Sequence, residues 1–354
     1  MDKMTHLKFN LNNFLFAISD ALDFIHMKNL HGISFNSKRI AYIALKIATL
    51  NEMPKEFLSD LLSYSLIAHN PELKTNLEAI PFNNITNIQR EEAAKILAIA
   101  SFFELQIAME NNFISNREQL IETFECKDCF DEIYTENLLY LMEYDSFWFD
   151  LTNIQSLPFK ILDMIDDFTF EYSYDNLISF TKLFNSIYYE HTQRTPSGCI
   201  EDKLRVVAQY YNFDQKDTSR LIISGHLAYL GFLLLPKEIY TNITLNSSHE
   251  IKSIPYNTKE ILTRVFGFDD IVILASIYNE NIDGSGYPYK KEGNQLSLKF
   301  RVFTIIYRLQ ALLEERNYRK SFSVDESFEI LKKEAQAGLL DITLLKDIEN
   351  LMHN

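Results

Sequence analysis

Apolar residues recur at helical spacing along almost the whole chain, and that periodicity excludes most folds before any motif is weighed. In SKRIAYIALKIATL, the residues Ile40, Ile43, Ala44, Ile47 and Leu50 fall on one face of a helix. LSLKFRVFTIIYRLQALLEE repeats the pattern with Val302, Ile305, Ile306, Leu309 and Leu312, and sets Thr304, Arg308 and Glu315 opposite. SVDESFEILKKEAQ opens on Ser323 with Glu326 three residues later, the spacing of a capping box. Strand-like alternation bounded by turn residues is nearly absent, so the expected class is all-α.

The 354 residues are enough for two ordinary domains, and 47% hydrophobic against 23% charged residues is a globular composition. A helical run ends before Pro158 in DLTNIQSLPFK, which predicts a border there and two helical units, 1–155 and 156–354. EHTQRTPSGC (Glu190–Cys199) is a second break, and no Gly/Ser-rich linker separates the halves. A helix pair recurs, as Ser37–Leu50 with Glu56–His69 and as Glu201–Phe213 with Thr218–Leu235.

The formal charge of −15 disfavours broad binding to nucleic-acid backbones, although a local basic pocket remains compatible with one small anion. Three cysteines do not make a disulfide framework, and Cys126 and Cys129 lack the second ligand pair that a zinc site needs. LIISGHLAYLGFLLLP (Leu221–Pro236) is too short for a comfortable membrane span and reads as a core helix followed by a turn, with His226 as a hydrogen-bonding core residue. With no apolar leader at the N-terminus, the expected location is the cytoplasm. Trp148 is expected in the core.

Against this glycine-poor background, NENIDGSGYPYKKEG (Asn279–Gly293) collects three of the 9 glycines and one of the 8 prolines. The run Glu280, Asp283, Gly284, Ser285, Gly286, Tyr287, Pro288 resembles the signature of HD-GYP proteins, a branch of the HD phosphohydrolase superfamily whose members are known as cyclic di-GMP phosphodiesterases. Downstream, Arg316, Asn317, Tyr318 and Arg319 resemble the family's Arg-Pro-Tyr-Arg corner, and Gly338 and Asp341 match its closing helix. Upstream, Leu230, Gly231, Pro236 and Lys237 match the stretch around the His-Asp dyad. The first half resembles a more diverged unit of the same kind, so the resemblance implies two HD-type helical units in tandem.

Hydrolysis by the family's route needs two or three metals held by His and Asp. The resemblance puts Ala228 and Tyr229 at the dyad, Phe232 at the lysine that follows it, and Ile254 at the histidine before proline. It puts Tyr278 and Asn279 at the paired histidines and Tyr307 at the late aspartate. In the first half Asn36, His69 with Asn70, and Gln89 stand at corresponding places. The expectation is therefore a protein without catalytic residues, metal ligands or a cofactor. It would signal through a protein partner, such as a nucleotide cyclase, through a bound cyclic di-GMP, or through both.

The residues expected to touch such a ligand are Asp283, Gly284, Gly286 and Tyr287 of the loop and Arg316, Arg319 and Lys320 after the long helix. Arg301, Arg308, Lys290 and Lys291 lie in the same basic stretch. The bland reading of these cations is pairing with Glu292, Glu314 and Glu315 on solvated faces. The competing functional reading is an active phosphodiesterase with an atypical metal site that gathers His191, His249 and Asp283.

Overall fold

The computed structural model describes residues 6–29, 36–68, 70, 73, 80, 86–110, 113–125, 130–166, 169–196, 198–236, 239, 248–316 and 319–353. His69, Cys126, Cys129, Lys237, Asn317 and Tyr318, named above, lie outside them. The protein is mostly helical. The small departure from an all-α reading is a two-stranded sheet of β1 (His6–Phe9) and β2 (Phe170–Ser173). Among the described residues no helix is long and apolar enough to cross a membrane.

Contacts divide the chain into an N-terminal unit, residues 10–170, and a C-terminal unit, residues 171–354 with 1–9. The N-terminal unit contains α1 (Leu11–Asn29), α2 (Ser37–Leu50), α3 (Lys55–Ile67), α4 (Asn87–Met109), α5 (Arg117–Glu125), α6 (Glu132–Met142), α7 (Asp145–Thr152) and α8 (Leu157–Leu162). Its centre is α2, packed by α3 and α4. Ile40, Ile43, Ala44 and Ile47 are fully buried as their spacing predicts, whereas Leu50 at the last turn is exposed. Trp148 lies in the core, its indole N–H donating to the Met142 carbonyl at 2.8 Å.

The C-terminal unit contains α9 (Tyr174–Thr192), α10 (Ile200–Tyr210), α11 (Gln215–Leu227), α12 (Ser248–Leu262), α13 (Asp269–Ser276), α14 (Leu298–Leu313), α15 (Val324–Gln336) and α16 (Ile342–His353). The helix pair read from the sequence recurs, α2 with α3 and α10 with α11. α11 stops at Leu227, and the chain tightens into a 3₁₀ turn (Leu230–Leu234). Thr258 of α12 fastens that turn, because its hydroxyl accepts from Gly231 N at 2.9 Å and lies 3.2 Å from the Ala228 carbonyl. The stretch from Leu221 to Leu235 is thus buried core, apart from the half-buried Leu234.

α14 runs through the middle of the unit. Val302, Ile305, Ile306 and Leu309 are fully buried, and so is Thr304, which periodicity assigned to the polar face. Leu312, assigned to the core face, is only half-buried. A helix enclosed on most sides blurs the two-faced pattern that sequence reading relies on. α15 begins with the expected capping box, Ser323 accepting from Glu326 N at 3.2 Å and Glu326 accepting from Ser323 N at 2.8 Å.

Candidate ligand site in the C-terminal unit

Positions far apart in the sequence converge on one aromatic column. Tyr229 follows the end of α11, Tyr278 follows α13, and Tyr307 sits in the third turn of α14. Tyr278 stacks on Tyr307 with ring centroids 3.8 Å apart, Tyr307 meets Tyr229 at 5.2 Å, and Tyr229 stacks on Tyr188 of α9 at 4.2 Å. All four rings are buried. Ala228, Phe232 and Ile254 are buried around them, and Asn279 is half-buried.

Burial pushes the phenols of Tyr229, Tyr278 and Tyr307 above their ordinary range, and the charge of Glu314 adds to this at Tyr229 and Tyr307. They therefore stay neutral. A neutral phenol, an amide and aliphatic carbons are poor donors for a divalent metal, so this set does not fit the metal centre that the signature loop implies. Among the described residues no three His, Cys, Asp or Glu side chains are grouped to hold a metal ion. The arrangement of His191, His249 and Asp283 expected for an atypical site is thus not formed, and His249 and Asp283 are both exposed.

Beneath the column lies Glu314, just past α14 and fully buried. Tyr189 and Tyr229 donate to its Oε1 at 3.1 and 3.2 Å. Arg194 and Arg316 approach its Oε2 at 3.9 and 3.8 Å. Arg194 also donates to the Tyr188 hydroxyl and stacks over Phe232, 4.8 Å from the ring centroid. The solvated-face reading of Glu314 is thereby corrected. Two guanidinium groups and two phenols thus surround this deep side chain.

Tyr278 and Tyr307 of the column, with the two arginines that approach Glu314, border a cavity of about 320 Å³. Phe232, Tyr278, Tyr287 and Tyr307 form its aromatic wall, and Arg194, Arg308, Arg316 and Arg319 bring guanidinium groups to it. Of the residues predicted to bind a ligand, Tyr287, Arg316 and Arg319 come together here, whereas Asp283, Gly284, Gly286 and Lys320 are not part of the lining. Asp283 is spent inside the loop, accepting from Ser285 N at 2.9 Å and from the Ser285 hydroxyl at 2.6 Å. Those bonds hold its carboxyl below the usual range. Gly284 has φ +77°, a turn conformation that other residues rarely adopt. A Cβ on Gly286 would run into the backbone at Asn281 and lie 2.6 Å from the Asn279 carbonyl. Lys320 is exposed.

The signature loop is held from within. Glu280 is buried and accepts from Tyr289 N at 2.7 Å and Lys291 N at 2.8 Å, so its carboxylate closes the loop. Arg308 donates to Asn281 Oδ1 at 2.6 Å and to Glu334 Oε2 at 2.7 Å, tying loop, α14 and α15 together. Arg301 binds the carbonyls of Leu296 and Gly293 and pairs with Asp341 at 3.1 Å. Arg319 caps the C-terminus of α14 through the carbonyls of Ala311, Leu312 and Glu314. These cations are therefore structural as well as electrostatic, and replacing Arg319 would loosen a helix end together with any bound ligand.

Sequence reading missed Tyr188, Tyr189 and Arg194. The only signal was an aromatic doublet at the end of an amphipathic helix and an arginine inside a stretch read as a break. His226 behaves as expected, fully buried, with Nδ1 3.1 Å from the Thr181 hydroxyl and Nε2 3.6 Å from Glu201.

Residues 181–344, which include most of this site, match the family model described as HD domain. Those 164 of the 354 residues are thus similar to an HD domain. The chain is also similar to two curated Vibrio cholerae (serotype O1) proteins. The 3'3'-cGAMP-specific phosphodiesterase 1 is 29% identical over 156 residues, 43% of this chain and 35% of the relative. The 3'3'-cGAMP-specific phosphodiesterase 3 is 29% identical over 82 residues, 23% of this chain and 18% of the relative. The matched stretches thus span about a third or less of those proteins. Among solved structures, a cyclic GMP-AMP specific phosphodiesterase of V. cholerae (V-cGAP3) superposes with a TM-score of 0.58, covering 98% of each chain at 14% identity. That likeness speaks for the fold alone.

Proposed function

We propose that this HD-like domain is a receptor that binds a cyclic dinucleotide without hydrolysing it, and that the occupied protein signals through a protein partner. One observation carries the reading. Where the resemblance places metal ligands, neutral tyrosines stack against each other beside a cavity lined by four arginines. The chemistry that is missing is activation of water and stabilisation of a leaving oxygen. The chemistry that remains is attraction of an anionic, aromatic ligand. In a chain of net charge −15, a cluster of guanidinium groups around one cavity favours phosphate over other ligand classes. The names of the related phosphodiesterases make 3'3'-cGAMP the first ligand to test beside cyclic di-GMP.

The reading is tested by titrating both cyclic dinucleotides into the protein with and without manganese or ferrous iron, and by following the nucleotide chromatographically. The expected outcome is saturable one-to-one binding of at least one of them, with the ligand recovered intact. Metal-dependent appearance of a linear dinucleotide would establish instead an active phosphodiesterase. No binding of either ligand would remove the receptor reading.

A further inference from the structure

Resting on the receptor reading of the cavity, we infer that Asn279 decides which base the site accepts, pairing its side-chain carboxamide with the edge of the base and favouring adenine over guanine. Bonding capacity singles this residue out. Reading a base edge calls for a hydrogen-bond donor and an acceptor side by side. Guanidinium groups carry donors alone, and a carboxylate carries acceptors alone. Among the described residues that line the cavity, Asn279 has the one carboxamide. It is half-buried, and no described residue engages its Oδ1 or Nδ2. The neighbouring acid of the lining, Glu334, is already paired with Arg308 at 2.7 Å.

The backbone holds this amide in place. Asn279 lies just past α13, and its carbonyl accepts from Tyr287 N at 3.2 Å. The next residue is tied as well, with Glu280 N donating to the Ile277 carbonyl at 3.0 Å. The hydrogen bond from Tyr287 also sets an aromatic side chain beside the amide, both on the cavity wall. A base stacked on that wall brings its edge to Asn279. Stacking on a phenol ring accepts any base, so the discrimination falls to the amide.

The chemistry of the bases gives the direction. Adenine has its amino donor N6 between two ring acceptors, N7 and N1, so a carboxamide pairs with it on either side. Guanine shows two acceptors, N7 and O6, on one of those sides and offers a matching pair only through O6 and N1–H. A carboxamide facing N7 and O6 sets its own oxygen against an acceptor. One adenine in the ligand is enough, so 3'3'-cGAMP and cyclic di-AMP suit the site and cyclic di-GMP is the poorer ligand.

The test is equilibrium binding of these three cyclic dinucleotides to the full chain. We expect the two adenine-containing ligands to bind about tenfold more tightly than cyclic di-GMP. In Asn279→Leu they should lose that advantage, leaving all three ligands within about twofold of one another. In Asn279→Asp the order should reverse, because a carboxylate accepts from N1–H and the 2-amino group of guanine. A merely structural role for Asn279 would weaken the three ligands alike and leave their ratios intact. Equal binding of the three by the wild-type chain, or a tenfold ratio that survives in Asn279→Leu, would overturn the inference and leave the receptor reading standing. Should Asn279→Leu bind nothing, the near-isosteric Asn279→Asp decides, and an adenine preference preserved there overturns the inference. If the wild-type chain binds no cyclic dinucleotide, the receptor reading fails and this inference with it.

Discussion

The two units each have a buried polar centre, and the two centres satisfy their buried groups in opposite ways. In the C-terminal unit phenols line up where ligands are expected, and the one deep carboxylate, Glu314, is met by two arginines and two hydroxyls. In the N-terminal unit carboxyls remain. Asn36 caps α2 and accepts from Arg39 N at 3.1 Å, while its own N–H donates to the fully buried Glu104 at 2.9 Å. Arg39 reaches Glu104 at 2.9 Å, and Asp23 accepts from the N–H and hydroxyl of Ser37, each at 3.0 Å. Burial pushes Glu104 up to about 8 despite Arg39, and Asp23 up to about 7 despite Ser37. One centre gathers guanidinium groups beside a cavity. The other is a structural network that prefers to be protonated.

The largest effect should come from breaking the N-terminal network. Glu104→Ala strands Arg39 in the core and should cost about 3–5 kcal/mol, read by urea unfolding of the whole chain. A loss below about 1 kcal/mol would mean that the network does not hold the unit. In the C-terminal unit the matching break is at the loop. Gly286→Ala forces a Cβ into the Asn281 backbone and should cost about 2–4 kcal/mol. A wild-type melting temperature in that variant would refute the packing described for the loop.

The contrast in proton affinity gives the next effect. Because the folded-state values of Asp23 and Glu104 lie above those of the unfolded chain, the unfolded chain releases these protons first as pH rises. Stability should therefore fall between about pH 4 and pH 8, each of the two groups contributing on the order of 4 kcal/mol. Thermal unfolding at pH 5.5 and pH 8.5 checks this, and Glu104→Gln should flatten the slope. A slope unchanged by that substitution would exclude Glu104 as its source.

The smallest effects separate two tyrosines of the same column. Tyr229→Phe removes a hydrogen bond to buried Glu314 and should cost about 1–2 kcal/mol. Tyr278→Phe removes a hydroxyl without a well-formed bond and should stay within about 0.5 kcal/mol. Equal losses in the two variants would erase the distinction.

Much of the scaffold was legible in the chain itself. Helical spacing located α2 and α14, and the Ser323–Glu326 spacing located the start of α15. The site was legible only position by position. Tyr229, Tyr278 and Tyr307 stood at ligand places in the resemblance, yet nothing in a linear sequence announces that their rings touch, because the contact is made by three segments and a fourth tyrosine from α9. Glu314 was misread because charged residues usually stay at the surface, and two of its four partners, Tyr189 and Arg194, lie more than a hundred residues away. Glu280 explains why the signature loop survives beside a site that does not fit a metal. Its carboxylate holds two backbone N–H groups of the loop, a task that needs no metal.

The uneven distribution of aromatic residues has an optical consequence. The single tryptophan, Trp148, is buried in the N-terminal unit, and the stacked tyrosines belong to the C-terminal unit. Indole fluorescence would report the melting of one unit, and near-ultraviolet dichroism of the phenol column the melting of the other. The chain carries its own pair of spectroscopic labels, and ligand entering the arginine-lined cavity should perturb the second signal while leaving the first in place.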